Sequence, residues 1–177
     1  EIIFIISKNK LNIKKYFYND KFYKSIISKK NNKRIRREFL KLKKYRKMIK
    51  FVYQNKPKGT GDAVLKTKKY IKGNYFLMLL PDDLIINRNC SKEMIKLHKA
   101  KKKSVIATKK VNSKSLPRWG ILSVKNKKKR SFEIDDVVEK PSIKEAPSNY
   151  AIIGRYILPK KIMNVLKNQK SGKGGEI

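Results

Sequence analysis

The chain is poor in several features that would mark other classes of protein. Its 177 residues include one cysteine, Cys90, with 8 glycines and 6 prolines. A single thiol excludes a disulfide scaffold and suits a reducing compartment, so we expect a cytoplasmic protein. So little glycine and proline excludes collagen-like and mucin-like chains. The longest apolar runs, such as residues 75–81, fall far short of the roughly 20 residues of a membrane span, and no membrane partner is expected.

Acidic residues are also scarce. Asp and Glu total 13 against 48 Lys and Arg, a formal net charge of +35. This excess indicates either a polyanion-binding protein or a compositional bias. Lys, Ile and Asn are abundant along the whole chain, as AT-rich coding produces, and the charge is not concentrated beside stacking aromatics. The pattern favours bias and disfavours nucleic acid as a partner, while a non-enzymatic polyanion-binding domain stays the alternative function.

Short apolar blocks alternate with longer basic stretches along the first 110 residues, which is typical of α/β proteins. Helices are expected between the blocks. Buried strands are predicted at residues 2–6, 49–53, 75–80 and 104–108. This order predicts a mostly parallel, Rossmann-like sheet with helices on both faces. Beyond residue 110, shorter strands separated by basic or proline-containing turns predict a small additional β region.

Two segments with useful side chains directly follow predicted strands, where open parallel sheets bind their ligands. In the loop at residues 54–61, glycines can bring backbone amides close to a ligand, and Gln54 offers a donor and an acceptor to a base edge. A plain tight turn is the alternative interpretation. Asp82 and Asp83 follow the third strand and could hold Mg²⁺, which prefers oxygen ligands. Helix capping or a solvated turn explains them equally well.

A third segment ends a later strand. Neighbouring side chains of a strand point to opposite faces, so Glu139 and Lys140 diverge unless the strand stops there, and Pro141 favours that stop. Lys140 could then meet a phosphate while Glu139 accepts hydrogen bonds from sugar hydroxyls. An exposed Glu–Lys pair without function is the alternative.

Occurring together in this order, these segments resemble the bacterial UTP–glucose-1-phosphate uridylyltransferases (UDP-glucose pyrophosphorylases). The resemblance spans essentially all 177 residues. Its most specific parts are the APSNYAIIGRYIL block and the terminal GGEI. The matching segments are Gln54-x4-Gly59-x-Gly61-x-Ala63-Val64, FLMLLPDDLI at 76–85, RWGI at 118–121, VEKP at 138–141, APSNYAIIGRYIL at 146–158 and GGEI at 174–177.

The resemblance implies a nucleotidyltransferase fold and the Mg²⁺-dependent reaction of UTP with glucose 1-phosphate, which yields UDP-glucose and diphosphate. In-line attack on the α-phosphate needs no enzyme nucleophile, but the two anionic reactants must be aligned and their charge neutralised. The resemblance implies that Gln54 and Gly59 contact the uracil, that Asp82 binds the metal ion and that Lys140 binds the sugar phosphate. It also implies that the sugar is contacted by Gly120, Glu139, the backbone near Ile153 and Glu176. Asp82 and Lys140 are thus the expected catalytic residues.

Two positions depart from the resembled pattern. Asp62 stands where the family often has His, and Trp119 stands where Tyr is usual. Either change could alter base or sugar preference. A related enzyme that uses dTTP or another sugar phosphate stays open, because uracil and thymine share the base edge that Gln54 would meet.

The family also has a glycine-rich triphosphate loop before its first strand, and a second metal Asp and a helical region after the segment matched by GGEI. We therefore expect this chain to be the central part of one nucleotidyltransferase domain, covering 1–177 and incomplete at both ends. We expect little or no activity from it alone, and a homo-oligomer for the full-length protein.

Overall fold

The computed structural model describes residues 1–30, 33–128 and 130–170. The chain forms two compact units. The first comprises Glu1–Lys72 and the described part of Lys161–Ile177, and the second comprises Gly73–Lys160. The single domain over 1–177 stays a prediction.

The first unit is built on two parallel strands, β1 (Ile2–Ile6) and β2 (Ile49–Tyr53). Ile2 pairs with Ile49 at one end of the ladder, and Ile6 pairs with Tyr53 at the other. Parallel neighbours need a long crossover. Here the crossover contains a 3-10 turn at Lys8–Lys10 and three helices, α1 (Leu11–Tyr18), α2 (Asp20–Lys30) and α3 (Lys33–Arg46). The helix α4 (Gly59–Leu65) follows β2 after a short loop.

The crossover helices bury a narrow apolar stripe. Phe39 and Leu42 of α3 pack with Tyr23 of α2 in one buried cluster. Leu40 and Tyr45 of the same helix are 57% and 42% exposed. The i, i+3 spacing of the two buried residues sets this stripe, and the neighbouring apolar positions lie outside it.

The second unit is a five-stranded sheet with one long helix. Its elements are β3 (Tyr75–Leu79), α5 (Cys90–Lys101), β4 (Val105–Lys110), a 3-10 turn (Ser113–Arg118), β5 (Gly120–Lys125), β6 (Glu133–Glu139) and β7 (Tyr150–Pro159). The strand β7 pairs antiparallel with β3, β4 and β5, and β5 forms an antiparallel pair with β6. The chain then returns to the first unit with α6 (Ile162–Asn168).

Pairing along β7 fixes the order of the strands. Ile157 pairs with both Leu77 of β3 and Val105 of β4, and Ala151 pairs with both Lys109 of β4 and Ile121 of β5. A strand residue has one neighbour on each side, so β4 lies on one side of β7 and β3 and β5 lie on the other. Since all three oppose β7, they run parallel to one another.

The α/β class is confirmed, but the predicted strands are divided between two sheets and are not all paired as expected. The parallel strands β3 and β4 are not adjacent, because β7 lies antiparallel between them. Apolar runs reveal that a strand is buried but not which strand pairs with it. The helix α5 begins at Cys90 with Asn89 as its N-cap, and the Asn89 side chain accepts from the Lys92 amide at 3.0 Å.

One face of β7 carries the core of the second unit. Ala107 of β4 and Ile157 pack with Met94 of α5, and Ile153 packs against the same cluster. Alternate residues of a strand share a face, so Ile152, Gly154 and Tyr156 face away from α5. Within the described ranges, no helix is both long and apolar enough for a membrane crossing.

Candidate functional site

The end of β2 positions Gln54 in the first unit. Its backbone amide donates to the Ile6 carbonyl at 3.0 Å and so continues the ladder with β1. The side chain is buried, at 9% exposure. Its Nε2 donates to the Asp62 carboxylate at 2.6 Å and to the Gly59 carbonyl at 3.3 Å. Gln54 is therefore a fixed polar group at the carboxyl end of a strand.

Gly59 gives the loop its conformation. Its φ is 92°, a left-handed backbone that glycine adopts without the penalty that a Cβ brings. It is also the first residue of α4, and its carbonyl is one of the two acceptors for Gln54. Gln54 and Gly59, two residues with the same expected role, are thus in direct contact.

In the second unit, the turn after β3 is held against β7. The Asp83 carboxylate accepts from the Gly154 amide at 2.9 Å. The Arg155 guanidinium donates to the Leu80 carbonyl at 2.6 Å and also to the Asp83 carbonyl. These bonds leave Asp83 as a structural residue of the turn. Asp82 is exposed, and its side chain makes no hydrogen bond or ion pair with any described residue.

The close contact between the turn after β3 and the strand β7 requires glycine at position 154. A Cβ on residue 154 would lie 2.5 Å from the Leu80 Cβ, a distance that side chains do not tolerate. The Leu80 amide also donates to the Gly154 carbonyl at 2.8 Å. The missing side chain lets the Pro81-Asp82-Asp83 turn lie directly on the strand.

Gly120 and Glu139 are cross-strand partners in the β5–β6 pair. A Cβ on residue 120 would lie 3.0 Å from Glu139 Oε2 and 3.4 Å from Ile152 Cδ1. Glu139 therefore lies over the bare backbone of Gly120, close to the face of β7 that points away from α5. Its carboxylate is exposed and, among the described residues, has no hydrogen-bond or ion-pair partner.

The strand β6 ends at Glu139, as the sequence predicts from Pro141. Lys140 has a φ of 48° and its amide donates to the Trp119 carbonyl at 3.0 Å. This left-handed residue breaks the strand's alternation, so Glu139 and Lys140 no longer belong to one regular extended segment. A non-glycine residue in this conformation carries backbone strain, which the neighbouring structure must hold.

The pKa of Tyr156 is affected by three carboxylates of the second unit. Burial raises the pKa of its phenol, and the negative charges of Asp83, Glu139 and Asp82 raise it further. Charges from the turn after β3 and from the end of β6 therefore act on the same residue of β7. Tyr156 and Arg155 were not among the expected site residues, although both stand in the APSNYAIIGRYIL block.

The structure thus brings the expected residues into two groups, one in each unit. Gln54 and Gly59 form the first group. Asp82, Glu139 and Gly120 lie around the Ile152–Tyr156 segment of β7 in the second, with Lys140 next along the chain. The side chain of Ile153 packs toward the core, which leaves its backbone as its possible contact with a ligand. Glu176 lies outside the described residues.

The number and type of metal-binding side chains determine how a metal ion could bind. In the described ranges, no group of three or more His, Cys, Asp or Glu residues is suited to hold one. Mg²⁺ is often bound by only one or two carboxylates, with waters and substrate phosphates completing its shell. An exposed, unpartnered carboxylate such as that of Asp82 fits this mode of binding.

Comparison with known proteins assigns the fold. A family model described as nucleotidyl transferase matches residues 12–176. The UTP–glucose-1-phosphate uridylyltransferase 2 of Staphylococcus saprophyticus is 34% identical over the whole chain, which covers 61% of that protein. An apo UDP-glucose pyrophosphorylase structure has a TM-score of 0.82 and 31% identity, over 99% of this chain and 65% of that one.

A second solved structure contains a ligand. It is a UDP-glucose pyrophosphorylase complexed with UDP-glucose, with a TM-score of 0.76 and 30% identity, over 99% of this chain and 65% of that one. The chain therefore spans less than two thirds of the length of these relatives.

Proposed function

This chain belongs to the nucleotidyl transferase family, and on that premise we propose that it forms the substrate-binding centre of a UTP–glucose-1-phosphate uridylyltransferase. The proposed reaction transfers the uridylyl group of UTP to glucose 1-phosphate, giving UDP-glucose and diphosphate. The similarity to uridylyltransferases along the whole chain supports this assignment. The complete protein would be the active, homo-oligomeric form.

The observation that carries the proposal is a pair of carboxylates without partners in a strongly basic chain. Seven acidic residues have ion pairs, namely Glu1, Asp20, Glu38, Asp62, Glu93, Glu133 and Asp135. Asp83, Asp136 and Glu145 accept hydrogen bonds instead. Among the described residues, Asp82 and Glu139 have neither an ion pair nor a hydrogen bond, although Lys and Arg number 48. The negative charges of Asp82 and Glu139 both raise the pKa of Tyr156. Carboxylates left free in this way are available to a cation and to hydroxyl donors.

We assign Asp82 to Mg²⁺, because it is the exposed carboxylate of a turn that Asp83 and Arg155 already hold in place. When bound, the ion would neutralise charge on the phosphates of the two reactants. Lys140 would bind the phosphate of the sugar ester through its ammonium group. Positioning and charge neutralisation then supply the catalysis, which suits a site without a nucleophilic side chain.

Glu139 would accept hydrogen bonds from sugar hydroxyls. Gly120 supports this role, because its bare backbone leaves room beneath the Glu139 carboxylate. The backbone at Ile153 and, outside the described residues, Glu176 complete the proposed sugar contacts. Gln54 and Gly59 would contact the base.

Binding of UDP-glucose tests the assignment, with Lys140→Ala as the variant and Lys144→Ala as the matched control. Both lysines are exposed and close in sequence. Charge-assisted hydrogen bonds contribute about 1.5–3 kcal/mol, so Lys140→Ala should weaken binding by at least about tenfold. Titration calorimetry in Mg²⁺ measures this. If the two variants bind UDP-glucose with equal affinity, Lys140 does not bind the sugar phosphate.

A further inference from the structure

Gln54 is held in one amide orientation by two acceptors. Its Nε2 lies 2.6 Å from Asp62 Oδ2 and 3.3 Å from the Gly59 carbonyl oxygen. A carboxylate and a backbone carbonyl only accept hydrogen bonds. The end of the amide that faces them must therefore be the NH₂ group, and the oxygen Oε1 must face the other way.

The oxygen Oε1 of Gln54 is left as an acceptor. It accepts no hydrogen bond from the residues that the structure describes, and it is not among their buried side-chain atoms that lack a partner. Gln54 as a whole is 9% exposed. The Gln54 amide is buried, and its Nε2 already donates to two protein acceptors. Its oxygen Oε1 is left as the acceptor that a ligand at the carboxyl end of β2 could reach.

Asp62 is itself well fixed. It lies in the first turn of α4, and its side chain is 14% exposed. Its second oxygen, Oδ1, is 3.5 Å from the Lys66 ammonium one helical turn onward. The Gln54 amide therefore rests on a largely buried carboxylate that also has a cation within ion-pair distance.

We propose that Asp62 is a positioning residue that sets base selectivity through Gln54. This inference rests on the proposed function, which puts the nucleotide base at Gln54. Uracil and thymine offer an N3–H donor to an acceptor, whereas cytosine offers an N3 lone pair. If cytosine binds there, its N3 and Gln54 Oε1 are both acceptors and neither receives a hydrogen bond. Burying both atoms without a partner weakens the binding of cytosine. Asp62 thus favours uridine and thymidine nucleotides over cytidine nucleotides.

The test compares UTP, dTTP and CTP binding to the wild-type chain and to Asp62→Asn. An asparagine can present either a donor or an acceptor, so the Gln54 amide becomes free to turn. We expect the affinity ratio of UTP to CTP to fall about tenfold in this variant, with the dTTP ratio falling in parallel. Asp135→Asn is the control, because it removes the same charge from an exposed ion pair with Lys125 at 2.5 Å.

A second measurement needs no ligand. The Gln54 side-chain NH₂ signal in a ¹H–¹⁵N spectrum should move in Asp62→Asn, and it should stay in place in Asp135→Asn. An unchanged UTP-to-CTP ratio in a folded Asp62→Asn protein, or an unmoved NH₂ signal, would overturn the role of Asp62. If the wild type binds none of the three nucleotides, the proposed function and the selectivity fail together, while the NMR result still decides whether Asp62 orients the amide.

Discussion

Asp83 accepts a hydrogen bond at 2.9 Å from the backbone amide of Gly154, a residue 71 positions later in the chain. This bond fastens the turn after β3 to the centre of β7. It explains why two consecutive aspartates have different surroundings. Asp83 holds the turn, and Asp82 stays free of protein partners within the described ranges, where it is available to a ligand.

Replacing Gly154 with alanine should disrupt this attachment. The new Cβ would lie 2.5 Å from the Leu80 Cβ, so the strand or the turn must move. Overpacking of this kind costs about 1–3 kcal/mol, and urea denaturation should show that loss. Gly73→Ala is the control, because its Cβ would lie 3.5 Å from the Tyr75 carbonyl oxygen, an ordinary contact. Equal stability of the two variants would show that the turn does not need the bare backbone at 154.

Gly120→Ala should weaken ligand binding more than it weakens the fold. The added Cβ would meet Glu139 Oε2 at 3.0 Å and displace that carboxylate by a few tenths of an ångström, which an exposed side chain can accommodate. We expect a lower affinity for UDP-glucose with a nearly unchanged urea midpoint. Calorimetric titration and denaturation of the same sample measure both. An unchanged affinity of Gly120→Ala for UDP-glucose would show that Glu139 does not contact the sugar.

Tyr156 should ionise at higher pH than an exposed tyrosine, because burial and the charges of Asp83, Glu139 and Asp82 raise its pKa. A raised pKa stabilises the fold below the ordinary phenol value, and this contribution is lost as the pH rises through the pKa of the folded state. Mg²⁺ bound at Asp82 would offset the negative charge and lower that pKa. Phenolate absorbance, taken as wild type minus Tyr156→Phe, should show the late titration and its shift with Mg²⁺. A difference spectrum that Mg²⁺ leaves unchanged would place the ion elsewhere.

Local sequence signals revealed much of this arrangement. The apolar run at residues 2–6 and the proline after Lys140 predicted a strand and a strand end that the structure contains. The insertion of β7 between β3 and β4 was not predictable from such signals, because pairing depends on distant residues. Tyr156 was missed for a related reason. A tyrosine in an apolar strand is typical of a core, and only the folded chain brings three carboxylates around it.

The orientation of Gln54 shows the same limit. The sequence identified the side chain as a donor and an acceptor, and the resemblance assigned it to the base. Which end of the amide is free depends on Asp62, eight residues later, and on the turn of α4 that brings its carboxylate to 2.6 Å. A substitution noted only as a departure from the family pattern thus becomes a specific contact once the loop is folded.

We propose that the free carboxylate of Asp82 binds the cation on which nucleotide-sugar binding depends. The most direct test of this proposal is the affinity for UDP-glucose, measured by calorimetry with Mg²⁺ and with a chelator, for the wild type, Asp82→Asn and the control Asp135→Asn. We expect Mg²⁺ to strengthen binding to the wild type and to the control but not to Asp82→Asn. An equal Mg²⁺ effect in all three proteins, or none in the wild type, would contradict it.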